Sequence, residues 1–362
     1  MKRSKKPTRI SAHATAVDLF CGAGGLTRGL LDAGISVAAG YDIDEKCRFP
    51  YEHNNEGTVF HKKSIADLTG RFLAKHYPKG DTRILAGCAP CQPFSKYTQG
   101  ADSKKDSKWG LLHDFGRLVK ELKPDIVSME NVPELQRHSV FDDFLAILDS
   151  AGFHFTDKPG ERLVYCPDYG IPQHRHRIVL LASKLGPIDL IPPTCKPDKY
   201  PTVRAAISKL QPLRAGSSSS KDRLHRSSIL HPINKKRMAH STPGGTWRDW
   251  PEELIAECHR SESGYTYPSV YGRMEWDKPS PTITTQFFGY GNGRFGHPKQ
   301  NRALSLREGA LLQSFPNDYE FVASEDQYCF KSVGRMIGNA VPVRLGEVVG
   351  LSIRKHLEKY AK

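Results

Sequence analysis

No apolar run in this 362-residue chain approaches the ~20 residues that a membrane-spanning helix needs. A helical membrane protein is excluded on that reading. A secretory signal is missing too: Lys2, Arg3, Lys5, Lys6 and Arg9 lead into polar and small residues, with no apolar core behind them. Residues 1–11 read as a basic tail. The eight cysteines stand at irregular spacings, which argues against a disulfide framework and for a reducing, intracellular setting. Internal repeats are absent. Acidic residues are outnumbered, 39 Asp and Glu against 53 Lys and Arg, and the formal charge of +14 predicts a polyanionic partner. Much of that charge is local. Between Lys196 and Arg248 twelve basic residues face two acids, Asp198 and Asp222, in a Pro- and Ser-rich stretch suited to tracking phosphates.

What is present in the first half is alternation. Short β-type runs at Ala14 to Phe20, Ser36 to Tyr41, Arg83 to Leu85, Ile126 to Met129 and Arg177 to Ala182 are interleaved with helical patterns at Gly24 to Ala33, Leu111 to Leu122 and Phe141 to Ala151. This predicts an α/β fold with a doubly wound, mostly parallel sheet. Past Lys184 the regularity stops, and Pro, Gly, Ser and basic residues dominate to about Gln300. Helical periodicity returns at Ser305 to Gln313 and Leu345 to Lys362. The expected organisation is a first domain of 12–185 plus 333–362, and a smaller irregular one of 186–332.

Three loops carry the chemistry. Val17-Asp18-Leu19-Phe20-Cys21-Gly22-Ala23-Gly24-Gly25 leaves a strand through a glycine turn, where backbone can approach a nucleotide-like ligand. Asp42, ending the second strand, can accept from ribose hydroxyls. A dinucleotide fingerprint fails because Thr27 occupies its third glycine position. Ala86-Gly87-Cys88-Ala89-Pro90-Cys91-Gln92-Pro93-Phe94-Ser95 and Met129-Glu130-Asn131-Val132 each follow a strand, so both open onto the same crevice. A thiolate, a carboxyl group and an arginine together suit an electron-poor pyrimidine: addition at C6 activates C5, an acid protonates N3, and a cation steadies the charge near O2. Gln173-His174-Arg175-His176-Arg177 supplies the arginines. Cys88 and Cys91 could instead form a redox pair. Zinc would need a second ligand pair, and Cys166, Cys195 and Cys258 are isolated.

In their order these motifs resemble the DNA cytosine-5 methyltransferase family of the bacterial or phage restriction-modification type. Asp18 to Gly25 resembles its cofactor loop, Pro90-Cys91-Gln92 its nucleophile loop, Glu130-Asn131-Val132 its acid motif and Gln173-x-Arg175-x-Arg177 its arginine motif. Arg307 to Pro316 resembles its late helix and Gly338-Asn339-Ala340-Val341-Pro342 its closing motif. The resemblance implies the S-adenosylmethionine-dependent methyltransferase sheet, with Cys91 as nucleophile, Glu130 on N3 and the amine, Arg177 on O2, and Arg175 supporting the loop. Phe20, Gly22, Gly24, Asp42 and Ile43 would hold the cofactor's adenosine, with Asn339 and Val341 at its amino-acid end. Base flipping is required, because C6 is unreachable in a duplex.

Two positions depart from the pattern. Ala89 replaces the first of two prolines, and Ser64 replaces an Asp that accepts from the adenine amine, which shifts adenine recognition towards stacking and backbone contacts. Ser280 to Thr285 resembles the DNA branch of the family, and the Cys-Phe-Thr segment of its tRNA branch is missing. Residues 195–285 would then read the target, with Ser95, Lys235, Lys236 and Arg237 at the DNA. The partners implied are double-stranded DNA and a cognate restriction endonuclease encoded alongside, with no membrane; the chain is expected to be a monomer in the cytoplasm, at the nucleoid. Substitution of Cys88 is expected to spare a methyltransferase and disable a redox pair.

Overall fold

The computed structural model describes residues 13–90, 109–324 and 326–360. The chain divides into two compact units: residues 1–164, 176–192 and 345–362, and residues 165–175 and 193–344. The arginine motif is thereby split, with Arg175 closing a segment of the second unit and Arg177 lying in the first.

A seven-stranded sheet organises the first unit: β1 (Ala14–Leu19), β2 (Ser36–Asp42), β3 (Val59–Lys62), β4 (Thr82–Gly87), β5 (Ile126–Asn131), β6 (Leu163–Tyr165) and β7 (His176–Ser183), in the order β3-β2-β1-β4-β5-β7-β6. Pairing is parallel from β3 through β5, and β7 joins β5 antiparallel. The sheet forms because its central strands are buried on both faces: all six residues of β1 and all six of β5 are buried, the pattern of strands covered on both sides. Phe115 from the helix Trp109–Leu122 and Phe144 from the helix Ser139–Ser150 meet at 5.2 Å over one face. Val17, Leu85, Val127 and Leu180 lie in the same core.

The strand order decides where a ligand can go. Winding runs outward from β1 to β3, then returns to place β4 on the other side of β1. The crevice of a doubly wound sheet opens at such a reversal, outside the carboxyl ends of the strands. The glycine loop after β1 and the Cys88 loop after β4 flank it.

The helix Val343–Tyr360 completes this unit. Ser352 Oγ accepts from Ile191 N–H (2.9 Å), Arg354 donates to the Ala33 carbonyl (3.1 Å), and His356 Nε2 meets Ser183 Oγ at 2.7 Å. Together with the preceding helix Phe330–Asn339 it forms a stretch long and apolar enough to cross a membrane, a length not evident from the sequence. Pro342 interrupts it, and 72% of its most apolar window is buried, the pattern of core helices.

Regular structure is sparse in the second unit. Its apolar centre comprises Leu230, Met238, Trp247, Trp250, Leu254, Tyr290 and Ala303. A buried ion pair lies beside it: Arg302, 0% exposed, makes two 2.7 Å bonds to the Glu308 carboxylate. Glu308 also closes a capping box with Ser305 that starts the helix Leu306–Leu312. Gly338 has to be glycine for packing, since a Cβ there would lie 2.4 Å from the Thr284 backbone.

Candidate active site

β1 passes into its helix through three residues with positive φ: Phe20 (60°), Gly22 (51°) and Gly24 (87°). Two are glycines, which take that conformation freely. Phe20 is not, and a bulky residue there signals a constrained loop. The loop is tied to β2, where Cys21 N–H donates to the Tyr41 carbonyl (3.0 Å) and Gly22 N–H to Asp42 Oδ2 (3.0 Å). Asp42 Oδ1 accepts from Asp44 N–H (2.9 Å). Burial pushes the Asp42 carboxyl up, with these backbone donors opposing it. Ile43, next in sequence, is 71% exposed. An exposed aliphatic side chain, a half-buried aromatic and a positioned carboxylate thus share the carboxyl edge of adjacent strands. Beneath them Asp18 is fully buried; it accepts from Thr27 Oγ (2.7 Å), and burial raises its carboxyl to about 7.

Glu130, 4% exposed, stands near the end of β5. Its cross-strand partner is Val179, so Arg177, two residues earlier on β7, is its diagonal neighbour on the same face. Arg177 Nε lies 2.9 Å from Oε1, off the line that a hydrogen bond needs, and among the described residues this buried oxygen has no aligned donor. The other oxygen accepts from the Cys88 thiol at 2.7 Å. Cys88 N–H in turn donates to the Leu19 carbonyl (3.3 Å), and Asn131 Nδ2 donates to the Ala89 carbonyl (3.0 Å). The ends of β1, β4 and β5 are therefore laced together around the carboxylate. Cys91 and Ser95 lie outside the described residues.

Within the second unit, Arg175 is buried and donates to Gln173 Oε1 (3.3 Å) and to the carbonyls of Ile283 (3.2 Å) and Ala340 (3.4 Å). Gln173 Nε2 donates to Gln313 Oε1 (2.9 Å), and Gln313 Nε2 to the Ile337 carbonyl (2.7 Å). Two glutamines thus bind four separated segments into one hub. Nothing about an isolated Gln distinguishes it in a sequence, although both sit inside the quoted motifs. Asn339 is exposed at the end of its helix, and Val341 is buried.

Lys235 and Lys236 are exposed on the helix Pro232–His240. Arg237 differs from them. It donates to the Leu254 carbonyl (2.7 Å) and Asn234 Oδ1 (3.1 Å), and its guanidinium lies 5.3 Å from the Tyr271 ring centre. Ser64, in the first unit, caps a short turn by accepting from Ala66 N–H (3.3 Å).

A family model described as C-5 cytosine-specific DNA methylase matches residues 14–355. The type II methylase M.HgiDII of Herpetosiphon aurantiacus is 55% identical, over 94% of this chain and 95% of its own length. The type II methyltransferase M.PspPI of a Psychrobacter species is 29% identical, over 97% and 82% respectively. Among solved structures, a prophage-encoded protein of E. coli described as a DNA modification methyltransferase superposes with a TM-score of 0.70, at 20% identity, over 95% of this chain and 99% of its own.

Proposed function

Because this chain belongs to the C-5 cytosine-specific DNA methylase family and methylates cytosine at C5 in DNA as a type II enzyme, we propose that the residues around Glu130 perform that reaction. The observation that carries the proposal is a buried carboxylate held between a thiol and a guanidinium, one strand beyond the switch point of the sheet.

The family's cofactor, S-adenosylmethionine, suits the edge formed by β1 and β2. Asp42 offers a carboxylate for ribose hydroxyls, Phe20 and exposed Ile43 offer apolar surface for adenine, and Gly22, with nothing within 4 Å of where a Cβ would be, leaves backbone bare for close approach. Gly24 keeps the turn tight. Asn339 and Val341 are assigned to the amino-acid end. When bound, this cofactor supplies an electrophilic methyl on a sulfonium.

The protein's own residues then do the following. The Cys91 thiolate adds to C6 of an extruded cytosine, and the ring electrons move toward C5 and N3. Glu130 delivers a proton at N3 and accepts from the exocyclic amine, so no full negative charge builds on the ring. Arg177 compensates charge at O2 while it remains beside Glu130. Arg175 braces its loop through Ile283 and Ala340. After methylation at C5, loss of the C5 proton restores the double bond and expels the Cys91 thiolate.

Ser95, Lys235, Lys236 and Arg237 are proposed to face double-stranded DNA, with 195–285 as the target-reading region. The enzyme then works as a monomer at the nucleoid, away from any membrane, beside a cognate restriction endonuclease, a context that accords with the type II names of its relatives. Arg237 reaches phosphate only by leaving Leu254 and Tyr271, so the exposed lysines are the better probes. Lys235→Ala and Lys236→Ala together should flatten the salt dependence of DNA binding by about 0.9 in log–log slope for each phosphate these lysines neutralise. An unchanged slope would place these lysines away from DNA.

The deciding experiment is transfer of labelled methyl from S-adenosylmethionine to DNA, with the product located by bisulfite sequencing. Target DNA bearing 5-fluorocytosine should trap the enzyme in a denaturation-resistant adduct, since fluorine cannot leave as a proton does. An active enzyme that forms no adduct would refute addition at C6.

A further inference from the structure

We propose that Cys88 is a positioning residue for Glu130, holding its carboxyl group open for the base. The inference rests on the reading of Glu130 as the group that meets N3 and the amine.

Two partners compete for this carboxylate. Arg177 stands beside Oε1 at 2.9 Å, and a guanidinium prefers the forked, two-bond arrangement with a carboxylate. If Glu130 turned to satisfy that preference, both its oxygens would be committed to Arg177 and the base would meet a closed ion pair. The geometry shows what prevents it. The Cys88 thiol holds Oε2 at 2.7 Å, Oε1 has no aligned donor among the described residues, and Arg177 Nη1 is engaged by the His176 carbonyl at 2.7 Å. Cys88 is itself fixed at the start of its loop through Leu19.

A thiol suits this task because it is a weak donor. It is strong enough to select a carboxyl orientation in the absence of substrate, and weak enough to yield Oε2 to the N–H of an arriving cytosine amine. On sequence alone, substitution of Cys88 is expected to be tolerated; the hydrogen bond to Glu130 changes that expectation.

The test compares Cys88→Ala and Cys88→Ser with the unaltered enzyme and with Glu130→Gln, measuring kcat, the KM for DNA and for S-adenosylmethionine, and thermal stability. Cys88→Ala should lower kcat about tenfold, the cost of losing one hydrogen bond to a charged group, with both KM values and the melting temperature little changed. Cys88→Ser keeps a donor and should stay within about threefold of the parent. Equal losses in the two variants, or full activity in Cys88→Ala while Glu130→Gln is inactive, would overturn the positioning role. A fully active Glu130→Gln would instead remove the reading of Glu130 on which the inference rests.

Discussion

A Cys91→Ser enzyme should show no methyl transfer above background while still binding DNA and S-adenosylmethionine. A free thiol at neutral pH is a few per cent thiolate and intrinsically nucleophilic, whereas a hydroxyl needs a neighbouring base to react at all. Loss of a nucleophile costs on the order of 10^6-fold in an acyl-transfer enzyme. Loss of a general acid costs roughly 10^2- to 10^4-fold. Cys91→Ser should therefore fall further than Glu130→Gln, and the 5-fluorocytosine adduct should vanish with it. A serine variant that methylates at the parent's rate would refute covalent addition by this residue.

The second large effect concerns stability. Glu308→Gln should destabilise the second unit by about 3–5 kcal/mol, because it leaves the Arg302 guanidinium buried without a counter-charge. In a unit of this size that corresponds to a fall in melting temperature of roughly 10 °C. Burial alone would raise the Glu308 carboxyl, but the Arg302 guanidinium bonded to it brings it down to about 2. A carboxyl held lower in the folded than in the unfolded chain gives stability that is fully present above its ordinary 4.5 and is lost as the pH falls towards about 2. Burial lowers His297 to about 4, against an ordinary 6.5; the unfolded chain binds that proton first, so this contribution also drains on acidification, between those two values. Glu308→Gln should abolish the loss due to Glu308 and leave the one that begins at 6.5, which extends to lower pH because the nearby Glu308 charge no longer holds His297 up. Denaturant unfolding at several pH values separates the two, and an unchanged midpoint in the variant would contradict the role given to the pair.

Five of the seven strands announce themselves in the amino-acid order because burial on both faces makes them continuous apolar runs. The other two do not. In β3, four residues long, and β6, three long, exposed positions alternate with buried ones, too briefly for a period to emerge. The helix Arg48–Asn54 escapes notice because Pro50 lies inside it, and Phe330–Asn339 is likewise left unassigned on sequence alone. Of the residues proposed for chemistry, the meeting of Glu130 with Arg177 depends on β7 entering antiparallel beside β5, which motif order does not encode. The bond from Cys88 to Glu130 joins residues 42 positions apart and follows from the same strand order. Likewise the basic run Lys235-Lys236-Arg237 looks uniform as letters. Packing separates it, since only Arg237 finds aromatic rings and a carbonyl within reach.

The distribution of the first unit along the chain has a consequence for biosynthesis. When a ribosome has joined residue 344, every residue of the second unit has been made. The unit begun first still lacks the helix that donates to Ala33, accepts from Ile191 and meets Ser183. Domains fold during synthesis as their residues emerge, so the sheet must wait, its carboxyl-edge loops already made, until residues 345–362 arrive. The second unit is thus complete in sequence before the sheet-bearing unit can close.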